Sequence, residues 1–248
     1  MSATAVPVRN ILITGANGVL GHATARYFLE HDTSCQVHLG VRERRDHAEA
    51  LVHEFAGRAH LCPLEVTHPE AWTQALAEIE ASCGPLNVLV NNAGCHDDAL
   101  LASMSQAQWR GVLEANLDAV FHGCQSVLRP MMTQRWGRIV NVASLSALHS
   151  PAGQTNYAAA KAGVLGLTQS LAKETARLGI TVNAICPGHI EGALPAGWSE
   201  EQVKAVRRET PMRRFARPEE IAAVVFFLAS PEASYMTGAA LKLDGGLV

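Results

Sequence analysis

The sequence predicts an α/β fold: one domain with a doubly wound parallel sheet of about seven strands and helices on both faces of the sheet. Short apolar segments typical of buried strands alternate with longer segments of helical periodicity, as parallel β-α-β units require. The 248 residues contain no linker, repeat or low-complexity stretch. Residues 1–248 are therefore expected to form a single domain without a separate substrate domain.

Composition and charge exclude several classes of function. Hydrophobic residues make up 48% and charged residues 17% of the chain, and the net charge of −3 argues against nucleic-acid binding. No apolar run approaches the roughly 18 residues of a membrane helix. The chain also begins without the features of a signal peptide, so we expect a cytoplasmic protein without membrane contact. The six cysteines and eleven histidines lack metal-ligand spacing, which predicts reduced thiols and no metal site.

The first strand, Asn10–Thr14, leads through a glycine-rich turn into a helix that reaches about Glu30. A strand, a glycine turn and a helix can form a cradle for a diphosphate, because glycines let the ligand approach the helix N-terminus. The alternative is an ordinary tight turn between a strand and a helix. The predicted cofactor contacts in this turn are Gly15, Asn17, Gly18, Val19, Leu20 and Gly21.

The second strand, Gln36–Val41, ends at Arg42. A site for NAD usually carries a carboxylate here for the ribose 2′-hydroxyl, whereas an arginine accommodates a 2′-phosphate. Val41 supplies no carboxylate, and Arg44 and Arg45 lie close to Arg42. The pattern favours NADPH and NADP as the cofactor, the alternative being a solvated charged turn.

The next two strands, Ala59–Pro63 and Val88–Val90, are separated by a helix predicted over Pro69–Cys83. In open α/β sheets, ligands bind at the carboxyl ends of the strands, where polar residues follow both segments. Glu65 and Val66 are predicted at the adenine edge. The further predicted cofactor contacts are Asn92, Ala93 and Gly94.

A long helix is predicted over Gln106–Thr133, with Asn116 in its interior. Asparagine is a poor helix former, so its place there calls for a functional or structural reason. The fifth strand, Ile139–Val142, is followed by Ser144 at the carboxyl edge of the sheet. Ser144 is therefore expected near the start of the next helix.

The helix predicted over Gln154–Leu178 carries Tyr157 and Lys161 one turn apart on one face. A neighbouring ammonium group favours a phenolate and is expected to lower the pKa of Tyr157, which makes this tyrosine a candidate for proton transfer to or from an alcohol oxygen. On its own, such a pair is usually a solvated tyrosine and lysine without a function.

The C-terminal third supplies the sixth strand, Ile180–Ile185, a helix over Pro218–Ala229 and a last strand, Ala240–Leu243. Between them, residues 192–212 contain glycines, prolines and a short charged helix, which predicts a mobile substrate lid. The remaining predicted cofactor contacts are Pro187, Gly188 and Ile190.

Taken together, these motifs resemble the short-chain dehydrogenase/reductase family, which has a Rossmann-type fold. The motifs are Thr14-Gly15 with Gly18 and Gly21, Asn91-Asn92-Ala93-Gly94, Asn116, Ser144, Tyr157-x-x-x-Lys161 and Pro187-Gly188. The resemblance implies that Tyr157 is the general acid, that Ser144 polarises the substrate carbonyl, and that Lys161 lowers the pKa of Tyr157 and binds the nicotinamide ribose. It also implies that Asn116 kinks its helix and holds a relay water, and that Ser144, Gln154 and Tyr157 contact the substrate.

Within that family the chain is most similar to the bacterial 3-oxoacyl-[acyl-carrier-protein] reductases, in its Gln154–Lys161 segment and its Arg213–Leu247 tail. The resemblance implies NADPH-dependent reduction of the 3-keto group of an acyl thioester, in fatty-acid or polyketide-like biosynthesis. It also implies an acyl-carrier protein as partner and a homotetramer. Arg135, Arg138 and Arg177 are expected to face the acidic carrier. The alternatives are a dehydrogenase for another small ketone, alcohol, sugar or steroid, and a catalytically silent nucleotide-binding protein.

The sequence departs from the family pattern at two places. Gly18 comes one position earlier than the second motif glycine usually does, and Val19 fills the usual slot. Gly192 stands where relatives commonly carry a threonine that holds the cofactor. The first departure predicts altered turn geometry and the second an altered ordering of the lid.

Overall fold

A computed structural model describes residues 9–194 and 197–248. Its strands form one seven-stranded sheet in the order 3-2-1-4-5-6-7, in which all neighbouring pairs are parallel. The strand order reverses between the first and fourth strands, which is where open α/β sheets bind their ligands. The strands are β1 (Arg9–Thr14), β2 (Cys35–Val41), β3 (Ala59–Pro63), β4 (Val88–Asn91), β5 (Gly137–Val142), β6 (Ile180–Pro187) and β7 (Ala240–Leu243).

Helices cover both faces of this sheet. They are α1 (Val19–His31), α2 (Asp46–Glu54), α3 (Pro69–Cys83), α4 (Gln106–Leu113), α5 (Ala119–Gln134), α6 (Thr155–Thr175), α7 (Glu200–Glu209) and α8 (Pro218–Leu228). Helices α1, α2 and α8 pack on one face and α3, α5 and α6 on the other. Successive strand residues point to opposite faces, so Ile11 and Ile13 join the first core and Leu12 the second. The predicted doubly wound α/β fold is confirmed.

The helices of the structure differ from the prediction in two regions. The helix predicted over Gln106–Thr133 is interrupted by a π-helical turn at Glu114–Asp118, so α4 and α5 are separate helices. Helix α2 was not predicted, because it buries only Ala48 and Leu51 and so shows little apolar periodicity. Within the described ranges, no helix is both long enough and apolar enough to cross a membrane.

Candidate active site

The glycine turn after β1 is packed tightly against its own backbone and against the segment after β4. Gly15 has a φ of 65°, and a Cβ added there would lie 2.9 Å from the Cα of Ala93. A Cβ at Gly21 would collide with the carbonyl oxygen of Gly15. Gly18 precedes α1 with a φ of −77°, which any residue can adopt. The turn therefore forms with ordinary backbone geometry at Gly18, although this glycine comes one position earlier than in the family pattern. The first turn of α1, which begins at Val19, carries no acidic residue to repel a phosphate.

Asn17 joins this turn to α2. Its Oδ1 accepts hydrogen bonds from the backbone N–H groups of His47 at 2.9 Å and Ala48 at 3.1 Å. Its Nδ2 donates to Asp46 at 3.0 Å. The side chain is thus used to hold the N-terminus of α2, which leaves its backbone for the predicted cofactor contact.

Asn92 braces the ends of β1 and β4. Its Nδ2 donates to the carbonyl oxygen of Thr14 at 2.9 Å, and the hydroxyl of Thr14 accepts the backbone N–H groups of Asn92 and Ala93, both at 2.9 Å. Thr14 was not among the predicted site residues, although it fixes two of them. The predicted contacts Asn92, Ala93 and Gly94 therefore lie directly beside the glycine turn.

Arg42 and Glu65 lie together beyond the ends of β2 and β3. Arg42 Nη1 lies 3.4 Å from Glu65 Oε2, and Glu65 Oε1 accepts a hydrogen bond from the Thr67 hydroxyl at 3.0 Å. An exposed pair of this kind contributes only about 0–1 kcal/mol. Arg42 can therefore exchange the carboxylate for a 2′-phosphate at low cost. Val66 follows Glu65 and packs against the core on the α3 side.

The segment after β6 packs beside the glycine turn and the start of α1. Pro187 ends β6, and a Cβ at Gly188 would lie 3.1 Å from the Cα of Asp244. Ile190 is buried in the same core as Leu20 of α1. A Cβ at Gly192 would lie 3.5 Å from Val19, so the start of the predicted lid already borders the glycine turn. The predicted lid includes residues 195 and 196, which lie outside the described residues.

Ser144, Tyr157 and Lys161 meet at the carboxyl edge of the sheet. Tyr157 is 8% exposed, and the side chain of Ser144 lies near enough to its hydroxyl to lower its pKa. The Ser144 hydroxyl oxygen also accepts the backbone N–H of Ser146 at 3.1 Å. Lys161 is 3% exposed, donates to the carbonyl oxygen of Val142 at 2.9 Å, and has its Nζ 5.6 Å from the centre of the Tyr157 ring.

The expected lowering of the Tyr157 pKa is wrong for this arrangement. Burial raises the pKa of Tyr157 to about 12, and the side chain of Ser144 opposes this rise. Burial also lowers the pKa of Lys161 to about 8. Desolvation dominates both pKa values because both groups lie in the interior, and the ammonium of Lys161 bonds a backbone carbonyl rather than the phenol. The phenol therefore keeps its proton at neutral pH, as a proton donor must.

Asn116 lies in the π-helical turn, where the helix is locally opened. Its Nδ2 donates to the carbonyl oxygens of Cys95 at 2.8 Å and Val112 at 2.9 Å. Its Oδ1 is buried, has no hydrogen-bond partner among the described residues, and would collide with a Cβ at Gly94. That same Cβ would lie 3.6 Å from Lys161 Nζ. Asn116 and Lys161 therefore border the same small space.

The substrate side of the site contains Gln154 and residues that were not predicted. Gln154 Nε2 donates to Asp98 Oδ2 at 2.8 Å, and Gln154 Oε1 accepts the Ser146 hydroxyl at 3.0 Å. The ring of His96 lies 3.8 Å, centre to centre, from that of Tyr157. The only available signal for His96 and Asp98 was their place directly after the Asn91–Gly94 motif.

A separate cavity of about 370 Å³ lies between the lid, the start of α8 and the end of β7. Its described lining includes His189, Met212, Phe215 and Asp244 but not Tyr157. This cavity is therefore distinct from the surroundings of the Tyr157 hydroxyl.

The arginines expected to face a carrier lie far from this site. The prediction that Arg138 faces a carrier is wrong, because Arg138 is only 3% exposed. Its guanidinium donates to the backbone carbonyls of Gly179 at 3.1 Å and Ser230 at 3.4 Å. Arg135 and Arg177 are exposed and adjacent, since Arg135 Nη2 donates to the Arg177 carbonyl at 3.2 Å. They lie where β5 and β6 begin. At about 3.3 Å per strand residue, this is some 20–30 Å from the edge where both strands end.

Comparisons with known proteins agree with the fold and the motifs. Residues 15–248 match the profile of a family described as "Enoyl-(Acyl carrier protein) reductase". The chain is 40% identical to the 3-oxoacyl-[acyl-carrier-protein] reductase FabG of Vibrio cholerae over 95% of this chain and 96% of that protein. It is 39% identical to the Thermotoga maritima protein of the same name over 96% of each chain. It is also 40% identical to Nodulation protein G of Azospirillum brasilense over 95% of this chain and 96% of that protein. The chain therefore belongs to the short-chain dehydrogenase/reductase family of oxidoreductases, which use a nicotinamide cofactor.

Proposed function

We propose that this enzyme reduces the 3-keto group of an acyl thioester on an acyl-carrier protein, with NADPH as the hydride donor. The observation that carries the chemistry is the grouping of Ser144 with the buried side chains of Tyr157 and Lys161, in which the phenol holds its proton at neutral pH. The substrate class rests on the names of the Vibrio and Thermotoga relatives. The product is a 3-hydroxyacyl thioester.

The residues on the cofactor side fit a dinucleotide. The glycine turn and the start of α1 would hold the diphosphate. Arg42 would leave its ion pair with Glu65 and bind the 2′-phosphate instead. Residues 92–94 and 187–190 would line the nicotinamide end, together with Lys161. The bound cofactor supplies the hydride, and all other steps fall to side chains of this chain.

The proton step uses the three grouped side chains. Ser144 donates a hydrogen bond to the substrate carbonyl oxygen, and Tyr157 gives its proton to that oxygen as negative charge develops there. The ammonium of Lys161 then stabilises the phenolate that remains. The unpartnered Oδ1 of Asn116 offers an acceptor for a relay that returns a proton toward Lys161.

Assembly and carrier recognition are linked by the positions of the arginines. A carrier held at Arg135 and Arg177 would lie at the opposite edge of the sheet from Tyr157 of the same chain. We therefore propose that the carrier serves the active site of another subunit in a homotetramer. The exposed side chains of Phe121 and Met132 on α5 support an interface on that helix. A monomeric mass in solution at micromolar concentration would contradict this assembly.

The function is tested with a panel of substrates and both cofactors. The panel contains 3-oxoacyl groups on an acyl-carrier protein and on a short pantetheine mimic, the matching enoyl thioesters, and simple ketones, sugars and steroids. We expect the highest kcat/KM with the carrier-bound 3-oxoacyl group and NADPH. A simple ketone, sugar or enoyl thioester that is reduced orders of magnitude faster would overturn the substrate assignment. Failure to reduce any substrate would favour the silent nucleotide-binding alternative.

A further inference from the structure

His96 covers the ring of the proposed proton donor. The centres of the His96 and Tyr157 rings are 3.8 Å apart, and their planes differ by 32°. The side chain of His96 is 53% exposed, whereas Tyr157 is 8% exposed. His96 is therefore the more exposed of two rings in direct contact, at a separation shorter than the roughly 4.5–7 Å usual for aromatic pairs.

A chain of polar contacts runs from His96 to Ser144. His96 Nδ1 lies 3.6 Å from Asp98 Oδ1, and Asp98 Oδ2 accepts a hydrogen bond from Gln154 at 2.8 Å. Gln154 in turn accepts the Ser146 hydroxyl at 3.0 Å, and the backbone N–H of Ser146 donates to the Ser144 hydroxyl at 3.1 Å. Ser144 and Tyr157 are thus connected through Ser146, Gln154, Asp98 and His96, the last of which contacts the Tyr157 ring.

The protonation state of His96 depends on three surroundings. Burial is the largest influence and lowers the pKa of His96, the carboxylate of Asp98 raises it, and the ammonium of Lys161 lowers it. The net pKa lies below the ordinary value of 6.5, so the imidazole is neutral at neutral pH. The phenol of Tyr157, which it faces, is also neutral there.

We propose that His96 is a positioning residue: its neutral ring, oriented by Asp98, holds the Tyr157 ring so that the hydroxyl stays on Ser144. Protonation of His96 weakens this arrangement, because the imidazolium is drawn to Asp98 and repelled by Lys161. The proposal rests on the proposed function only in taking Tyr157 as the proton donor. It applies to whichever ketone the enzyme reduces.

The kinetic test compares His96→Ala with His96→Phe, using the ketone that the wild type reduces best. His96→Ala removes the ring and is expected to lower kcat about three- to tenfold at neutral pH, as loss of an aromatic pair predicts. The KM for NADPH should stay unchanged. His96→Phe restores the ring and should recover most of the lost kcat. In the wild type kcat should fall below pH 6.5, and this fall should be absent from His96→Phe.

Two kinetic outcomes would overturn the proposal. One is a His96→Ala enzyme with wild-type kcat and an unchanged pH profile. The other is a His96→Phe enzyme as impaired as His96→Ala, because the contribution would then not come from ring packing.

A second measurement needs no substrate and separates this proposal from the proposed function. In histidine-labelled protein, the Cε1–H resonance that disappears in His96→Phe is assigned to His96. It should be shifted upfield by the tyrosine ring and should titrate below pH 6.5. Asp98→Asn should lower its pKa further, because the carboxylate charge is lost. An unshifted resonance that is indifferent to Asp98→Asn would overturn the contact, even if ketone reduction is observed.

Discussion

Replacing Tyr157 with phenylalanine should separate the chemical role of the hydroxyl from its effect on stability. The substitution keeps the buried ring and the contact with His96 but removes the proton and the hydroxyl that lies near Ser144. A positioned general acid contributes a factor of about 10²–10⁴, so turnover should fall by at least about 100-fold. Binding of NADPH, followed by fluorescence titration, should be nearly unchanged.

The stability effect of Tyr157→Phe follows from the raised pKa. The pKa of Tyr157 is about 12 in the folded protein and 10.0 in its ordinary state, so the buried phenol stabilises the fold fully below pH 10. That stabilisation is lost as the pH rises through about 12. At pH 11 ionisation of this phenol should lower the free energy of unfolding of the wild type by about 1.4 kcal/mol. The phenylalanine variant has no phenol here and should not show this loss.

The assay is urea unfolding of wild type and Tyr157→Phe at pH 7 and pH 11. Comparing the two proteins at the same pH removes most of the contribution of other titrating groups, Lys161 included. The difference in free energy of unfolding should shift by about 1.4 kcal/mol in favour of the variant at pH 11. An unshifted difference would refute the burial argument. Near wild-type turnover by the variant would refute the general-acid assignment.

Five further substitutions test the cofactor preference, the proton relay and the arginines outside the site. Arg42→Ala should raise the KM for NADPH about tenfold more than that for NADH. Glu65→Gln frees Arg42 from its ion pair and should lower the KM for NADPH. Equal use of both cofactors by the wild type would contradict the role of Arg42. Asn116→Ala should reduce kcat roughly ten- to a hundredfold with an unchanged KM for NADPH, and a wild-type kcat would exclude a role in the relay. Arg138→Met should lower the free energy of unfolding by about 2 kcal/mol in urea, because buried carbonyls lose their donor, and should leave the preference for carrier-bound substrate intact. Arg135→Glu should lower the rate with the carrier-bound substrate, and more so at low salt than at high salt, whereas the rate with the pantetheine mimic should stay unchanged.

The sequence predicts most reliably what depends on local pattern. Strand β3, helix α3 and strand β7 coincide with their predicted bounds, since each is set by a short apolar run or by a proline in the first turn. Tyr157 and Lys161 share one face of α6 because a helix dictates it. The meeting of Ser144 with Tyr157 follows from the edge at which parallel strands end.

What the sequence did not predict depends on burial and on distant contacts. Arg138 was expected at the surface, but its guanidinium is surrounded by the carbonyls of Gly179, just before β6, and Ser230, just after α8, and by the ring of Trp136 at 4.5 Å. The pKa of Tyr157 was expected to fall, because helical spacing shows a neighbouring charge but not the depth of the ring. His96 was missed because its partner lies 61 positions later in the chain.

The π-helical turn ties the chemistry of Asn116 to the packing of the helix that follows. Such a turn contains one residue more than the α-helix would need, and each α-helical residue advances the side chains by about 100°. The extra residue therefore sets which face of α5 meets the sheet, the face that carries Val120, Cys124 and Val127. Removing one residue from Glu114–Asp118 would restore a regular helix and also rotate this apolar stripe out of the core. The π-helical turn around Asn116 is thus required for the packing of α5, and its loss would also disrupt the contact of α5 with the sheet.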